Sequence, residues 1–189
     1  EQKKFGKLSV GDAYVKWFRT QEYYDSGAWR GTWKLDGGGA LMNQAIHTVD
    51  LLSWLMGPVV EITAQADMLA HKRIEVEDIV VATLRFKNGA LGVIEATTAA
   101  YPGMLKRIEI HGTQGSAVLE EEDIKIWEFA TMTTADKKLV ARMAGRTKTG
   151  GGAADPSAIG HHAHAELFRD AIRAIQGKRS NSISGAEGR

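Results

Sequence analysis

A glycine run that opens a two-faced helix constrains this chain more than any other stretch of it. Residues 29–50 read W-R-G-T-W-K-L-D-G-G-G-A-L-M-N-Q-A-I-H-T-V-D. At about 100° per residue, Asn43, His47, Asp50 and Trp54 fall on one stripe. Leu41, Ala45, Thr48, Leu52 and Leu55 fall roughly opposite, a face suited to packing on a core. The spacing predicts a helix from about Ala40 to Met56, stopped by Gly57-Pro58.

Strand patterns surround that helix. Residues 8–19 mix apolar and polar positions as a strand does, and residues 20–38 read as a surface loop. Val60, Ile62, Ala64 and Ala66 alternate with Glu61, Thr63, Gln65 and Asp67, a period of two. Residues 78–87 and 90–98 flank Asn88-Gly89, the signal of a type I′ hairpin. Further strands follow at 107–111, 116–120 and 124–127, and His71 and His111 read as ordinary strand residues. Sequential strands joined by tight turns predict an open, mainly antiparallel sheet with helices packed on one face, an α+β fold. Residues 131–159, with Gly150-Gly151-Gly152 and Asp155-Pro156-Ser157, read as a long mobile loop with a short helical turn at Leu139–Met143. A second helix is expected from about His161 to Gln176, its apolar positions Ala163, Leu167, Ala171 and Ile175.

Composition removes several classes of function. The 24 basic and 23 acidic residues are interspersed and leave a net charge of +1, so there is no basic footprint for nucleic acid. The absence of cysteine excludes disulfides, thiol nucleophiles and cysteine-ligated metals, and fits a cytoplasmic protein. The start Glu1-Gln2-Lys3-Lys4 has no apolar run behind it, so no signal peptide is expected. The apolar stretch near Leu51–Met56 is too short to cross a bilayer.

The polar stripe of the first helix carries the chemistry. An imidazole with an amide one turn before it and a carboxylate one turn after it suits acid/base work, because Asp50 can fix the tautomer of His47 while the other nitrogen faces a ligand. The same spacing also fits a local cap at Asp50 and a satisfied polar His47. Gly37-Gly38-Gly39 is neither a Walker loop nor a dinucleotide fingerprint, since Met42 stands at the third glycine position; it suits close approach of the helix start to another backbone or a ligand. Arg30 can hold a hydroxyl-rich or carboxylated ligand and Trp29 can lie against a sugar face, or both can anchor the loop. His161, His162 and His164 suggest a metal, but no acidic residue or cysteine stands at close spacing.

The stretch G-G-G-A-L-M-N-Q-A-I-H-T-V-D resembles the segment that opens the second domain of the glucose–fructose oxidoreductase / inositol dehydrogenase (Gfo/Idh/MocA) family. The likeness continues through Leu51–Pro58, Val76-Glu77-Asp78, Phe86–Ala90, Ile110–Ser116, Gly160-His161-His162 and Gly185–Arg189. It implies that residues 1–189 are a single C-terminal substrate-binding and oligomerisation domain, without the N-terminal Rossmann domain. That domain would bind NAD or NADP in the full-length enzyme, so no cofactor is expected on this chain. The resemblance assigns catalysis to His47, oriented by Asp50, and substrate binding to Asn43, Arg30, Trp29, His161 and His162. Many members carry an aspartate where this chain has Asn43, and an amide cannot take a proton from a hydroxyl. The implied partners are a sugar, inositol or related polyol, the Rossmann domain, and a second copy through the open sheet face, with no nucleic acid and no membrane. A non-catalytic ligand-binding or assembly domain is the alternative.

Overall fold

A computed structural model describes residues 2–147, 152–156 and 162–178. Residues 1–158 form one compact unit and residues 159–189 a second. The first is built on a seven-stranded sheet with strands β1 (Leu8–Lys16), β2 (Val59–Asp67), β3 (Ile79–Phe86), β4 (Leu91–Thr97), β5 (Arg107–Gly112), β6 (Gly115–Glu120) and β7 (Asp123–Phe129). Their order across the sheet is β2-β3-β4-β1-β5-β6-β7. All neighbours are antiparallel except β1 and β4, which run parallel from Val10↔Leu91 to Lys16↔Thr97. The first strand thus fills the middle of the sheet, between two meanders.

Alternation sets which face each strand residue takes. Along β3, Val80, Ala82, Leu84 and Phe86 are buried while Val81, Thr83 and Arg85 are exposed. The β3–β4 turn differs from the expected type I′. Gly89 N–H donates to Phe86 O and Phe86 N–H donates to Ala90 O, both at 2.9 Å, closing a three-residue loop. Only Gly89 has positive φ there, +89°, so this is a type I turn with a bulge at the glycine. The Asn88 side chain is spent elsewhere, accepting from Ala90 N–H and donating to Met56 O.

The expected continuous helix is broken in two. Ala40–Gln44 is a π turn, closed by Ala45 N–H donating to Ala40 O at 3.0 Å, and a regular helix, α2, follows from Ile46 to Met56. Leu52 and Met56 of α2 meet Ala13, Leu84, Phe86, Ile94 and Ile108 in the core. Burial of one such side chain contributes about 1.5–3 kcal/mol. The helix covers the middle of the sheet and stops short of β2. Every residue of β2 is exposed, including Val60 and Ile62, whose alternation had suggested a buried face.

A helix lies where a loop was expected. A short helix, α1, spans Gln21–Asp25, capped by Thr20, whose hydroxyl accepts from Tyr23 N–H. A ten-residue helix, α3 (Thr134–Met143), extends the short helical turn expected at Leu139–Met143 back to Thr134. It begins with a capping box: Thr133 Oγ1 accepts from Asp136 N–H, and Asp136 Oδ2 accepts from Thr133 N–H. Lys4, the Thr133 hydroxyl and the Trp127 indole N–H also bind Asp136, and they hold its carboxyl below the usual carboxylate range.

In the second unit, α4 runs from His162 to Ile175. Its Leu167, Phe168, Ile172 and Ile175 are exposed. Among the described residues no helix is long and apolar enough to cross a membrane.

Candidate functional site

The glycine run is pinned by Glu77. The Glu77 carboxylate accepts from Gly39 N–H at 3.2 Å and Leu41 N–H at 3.0 Å, and its backbone oxygen accepts from Ala40 N–H. A Cβ at Gly39 would lie 1.9 Å from that oxygen, so only glycine permits the approach. The reading of the glycines as a close-approach element therefore holds. Gly39 N–H is taken by the Glu77 carboxylate and Gly37 N–H by Thr32 O, so this turn does not fit a dinucleotide pyrophosphate.

The polar stripe of the helix is exposed. Asn43, His47, Asp50 and Trp54 face solvent, while Ala45, Thr48 and Leu52 opposite them are buried. The π turn changes what Asn43 does. Its amide nitrogen donates to Asp36 Oδ1 and its oxygen accepts from Gln44 Nε2 at 3.1 Å. Asp36 in turn accepts from Gly31 N–H through Oδ2 at 2.8 Å. One carboxylate thus ties the loop before the glycines to the helix after them, a role that sequence spacing did not reveal. His47 and Asp50 stand three residues apart in α2, and no hydrogen bond joins them among the described residues.

The loop carries a stack of cations and rings. The Arg30 guanidinium lies 4.1 Å from the Tyr23 ring centroid and 4.4 Å from that of Trp29. Arg19 sits 5.4 Å from the same Tyr23 ring. Arg19 is buried and donates to Phe18 O, Ala153 O and Gly152 O. Trp29 and Trp33 are exposed, and Trp33 N–H donates to Glu75.

His71 is a loop residue, not the strand residue the sequence suggested. Its Nδ1 is 2.8 Å from Asp78 Oδ2 and its Nε2 2.9 Å from Arg19 O. That carbonyl can only accept, so Nε2 carries a proton. Asp78 is fully buried and also accepts from Leu69, Ala70 and His71 N–H. Burial alone would push its carboxyl up; these donors outweigh it and hold Asp78 below the ordinary range. The motif Val76-Glu77-Asp78 thereby has a structural account: Val76 is in the core, Glu77 holds the glycine run, and Asp78 holds the loop through His71.

The opposite face of the sheet has a different character. A shallow concavity of about 470 Å³ there is lined by Asp12, Thr63, Thr83, Arg85, Leu91 and Val93. Asp12 accepts from Val93 N–H at 2.8 Å, and burial raises its pKa against that hydrogen bond, with the Glu109 charge adding to the rise. Tyr14 is pushed up to about 12 by burial and by the charges of Asp12, Glu109 and Glu95. This hollow is on the face away from α2 and has no part of the His47 stripe. His161, and the side chain of His162, lie outside the described residues. Among the described residues no group of three or more histidines and carboxylates is placed to hold a metal ion.

Residues 1–118 match the family model of the GFO/IDH/MocA C-terminal domain. The myo-inositol 2-dehydrogenase of Thermotoga maritima is 38% identical over 82 residues, covering 41% of this chain and 25% of that protein. The WlbA dehydrogenase from Bordetella pertussis, solved with NADH and UDP-GlcNAcA, superposes with a TM-score of 0.78 at 36% identity, covering 99% of this chain and 50% of that one. Levoglucosan dehydrogenase, solved with NADH and L-sorbose, gives 0.62 at 25% identity over 71% of this chain and 39% of its own. The chain spans half or less of the length of each of these three proteins.

Proposed function

Since the chain belongs to the GFO/IDH/MocA family through its C-terminal domain, we propose that it is the substrate-binding and oligomerisation part of an NAD(P)-dependent oxidoreductase acting on a sugar, inositol or related polyol. The observation that carries this reading is the His47 stripe, solvent-facing on a helix whose other face is locked into the core and whose start is pinned by Glu77. A rigid element that presents an imidazole to an open face suits proton transfer to and from a substrate hydroxyl. The relatives' NADH complexes support the cofactor class, and the compounds they are named or solved with, from myo-inositol to L-sorbose and UDP-GlcNAcA, support the substrate class.

In this reading the dinucleotide is held by an N-terminal Rossmann domain, because the glycine turn of this chain is occupied by Glu77. The chain's own residues bind, orient and move a proton. His47 accepts the hydroxyl proton in the oxidative direction and returns it in the reductive one. Asp50, one turn on, orients His47 once a ligand closes over the face. Asn43, held by Asp36, offers its amide to a substrate hydroxyl, and Trp29 and Arg30 extend the binding surface.

Assembly uses the open sheet face. Val81 and Leu91 are exposed there beside partly buried Val93. Face-to-face packing of two copies about 10 Å apart would cover them through a two-fold axis. The functional test is an assay of the full-length protein with NAD⁺ or NADP⁺ and a panel of sugars, inositols and sugar nucleotides. Reduced nicotinamide is expected with at least one of them. A folded protein that reduces neither cofactor with any member of the panel would leave only a non-catalytic binding or assembly role.

A further inference from the structure

We infer that the substrate of this site carries an anionic group, a carboxylate or a phosphate, and that Arg30 is the residue that grips it; this rests on the sugar-binding reading above. Arg30 is partly buried between the rings of Tyr23 and Trp29, and its Nε is buried without a hydrogen-bond partner. Its terminal amino groups have no acceptor among the described residues. The carboxylates of the surrounding segments are all committed elsewhere. Asp25 is held by Arg73 and Gln21, and Asp36 by Gly31 N–H and Asn43. Glu75 takes Trp33 N–H, and Glu77 takes the start of the π turn. Asp78 is buried with His71, and Glu22 is turned back on its own helix cap.

A guanidinium that has lost part of its hydration and has no counter-ion is costly unless something repays it. Ring faces supply part of the compensation and fix the plane of the fork. What remains is a rigid planar donor pair, the geometry that matches a carboxylate or phosphate in a bidentate way. Its position ties it to the site. Arg30 precedes Gly31, whose N–H binds Asp36, whose other oxygen binds Asn43 on the turn leading into α2. A neutral hydroxyl would leave the charge uncompensated.

Equilibrium binding to the full-length protein tests this with three probes: glucose, glucuronate and glucose 1-phosphate. At least one anionic sugar is expected to bind about 10- to 100-fold more tightly than glucose, the size of one charge-assisted bidentate contact. The preferred anion identifies which group Arg30 takes. Arg30→Met, which keeps an apolar stem between the rings, should erase the preference. Arg30→Lys should restore part of it. Equal binding of all three sugars, a preference that survives Arg30→Met, or no binding of any probe overturns the inference. Whether the protein reduces a nicotinamide cofactor is read separately by the assay above, so the two failures are distinguishable.

Discussion

At the scale of single residues, the side chains that shape the candidate site are acids bound to the chain's own N–H groups. Asp78 anchors the loop through three N–H groups and His71, and Glu77 beside it holds the glycine run. Removing one member of a buried charged pair costs about 3–5 kcal/mol. Asp78→Ala should therefore lower the urea-unfolding free energy at neutral pH by about that amount. The pH dependence has a definite sign. The folded-state pKa of Asp78 lies below its unfolded value of about 3.9, so its contribution is fully present above that pH and is lost as pH falls through the folded pKa. The gap between wild type and Asp78→Ala should be constant from neutral pH to about 5 and close in stronger acid. A gap that widens on acidification would contradict the role given to this carboxylate. From sequence, Val76-Glu77-Asp78 is legible only as part of a motif, because the partners at 39, 41 and 69–71 are brought to it by the fold.

At the scale of elements, the legible features were those with a local cause. Period-two alternation placed β3 and β4, Gly57-Pro58 ended α2, and the buried face of that helix followed from its spacing. The misreadings have causes of equal clarity. The π turn at 40–44 arises from Glu77, 36 to 38 residues distant in sequence, holding three consecutive N–H groups, which no local pattern reports. Strand β2 alternates as a half-buried strand does, but α2 packs over β1 and β5 and leaves it bare. Only the end of helix α3 was legible, as the turn at Leu139–Met143; its start was not, although Thr133 and Asp136 have capping-box spacing, because Thr and Lys dilute its apolar face. Two substitutions test the elements. Gly39→Ala forces the π turn off the Glu77 backbone and should cost about 1–3 kcal/mol, as overpacking does. Thr133→Ala removes a helix cap and should cost about 1 kcal/mol by thermal or urea unfolding. A neutral Gly39→Ala would show that the turn has room that its geometry denies.

At the scale of the whole molecule, the two sides of the sheet divide the work proposed for them. The helix side presents the His47 stripe and the Arg30 loop, and the open side presents Val81, Leu91 and Val93 around a partly buried Asp12. If the open side is the seam between two copies, light scattering of the chain at micromolar concentration should give at least twice its 20.6 kDa mass. Val93→Asp should return it to the monomer, and Asp67→Lys should not. A monomeric wild type would remove the assembly role and leave the substrate role standing. The solvent-facing His47 stripe was legible because glycine run, histidine and aspartate lie within one short segment, whereas the Asp36 and Glu77 supports were not, being fixed by contacts across the fold. The central claim is that this chain supplies the proton-transferring histidine of an oxidoreductase, and steady-state kinetics of His47→Ala in the full-length enzyme tests it most directly. The account predicts a kcat lower by about 10²- to 10⁴-fold with the fold intact, and a far smaller change for His164→Ala. A His47→Ala enzyme that turns over at the wild-type rate would contradict it.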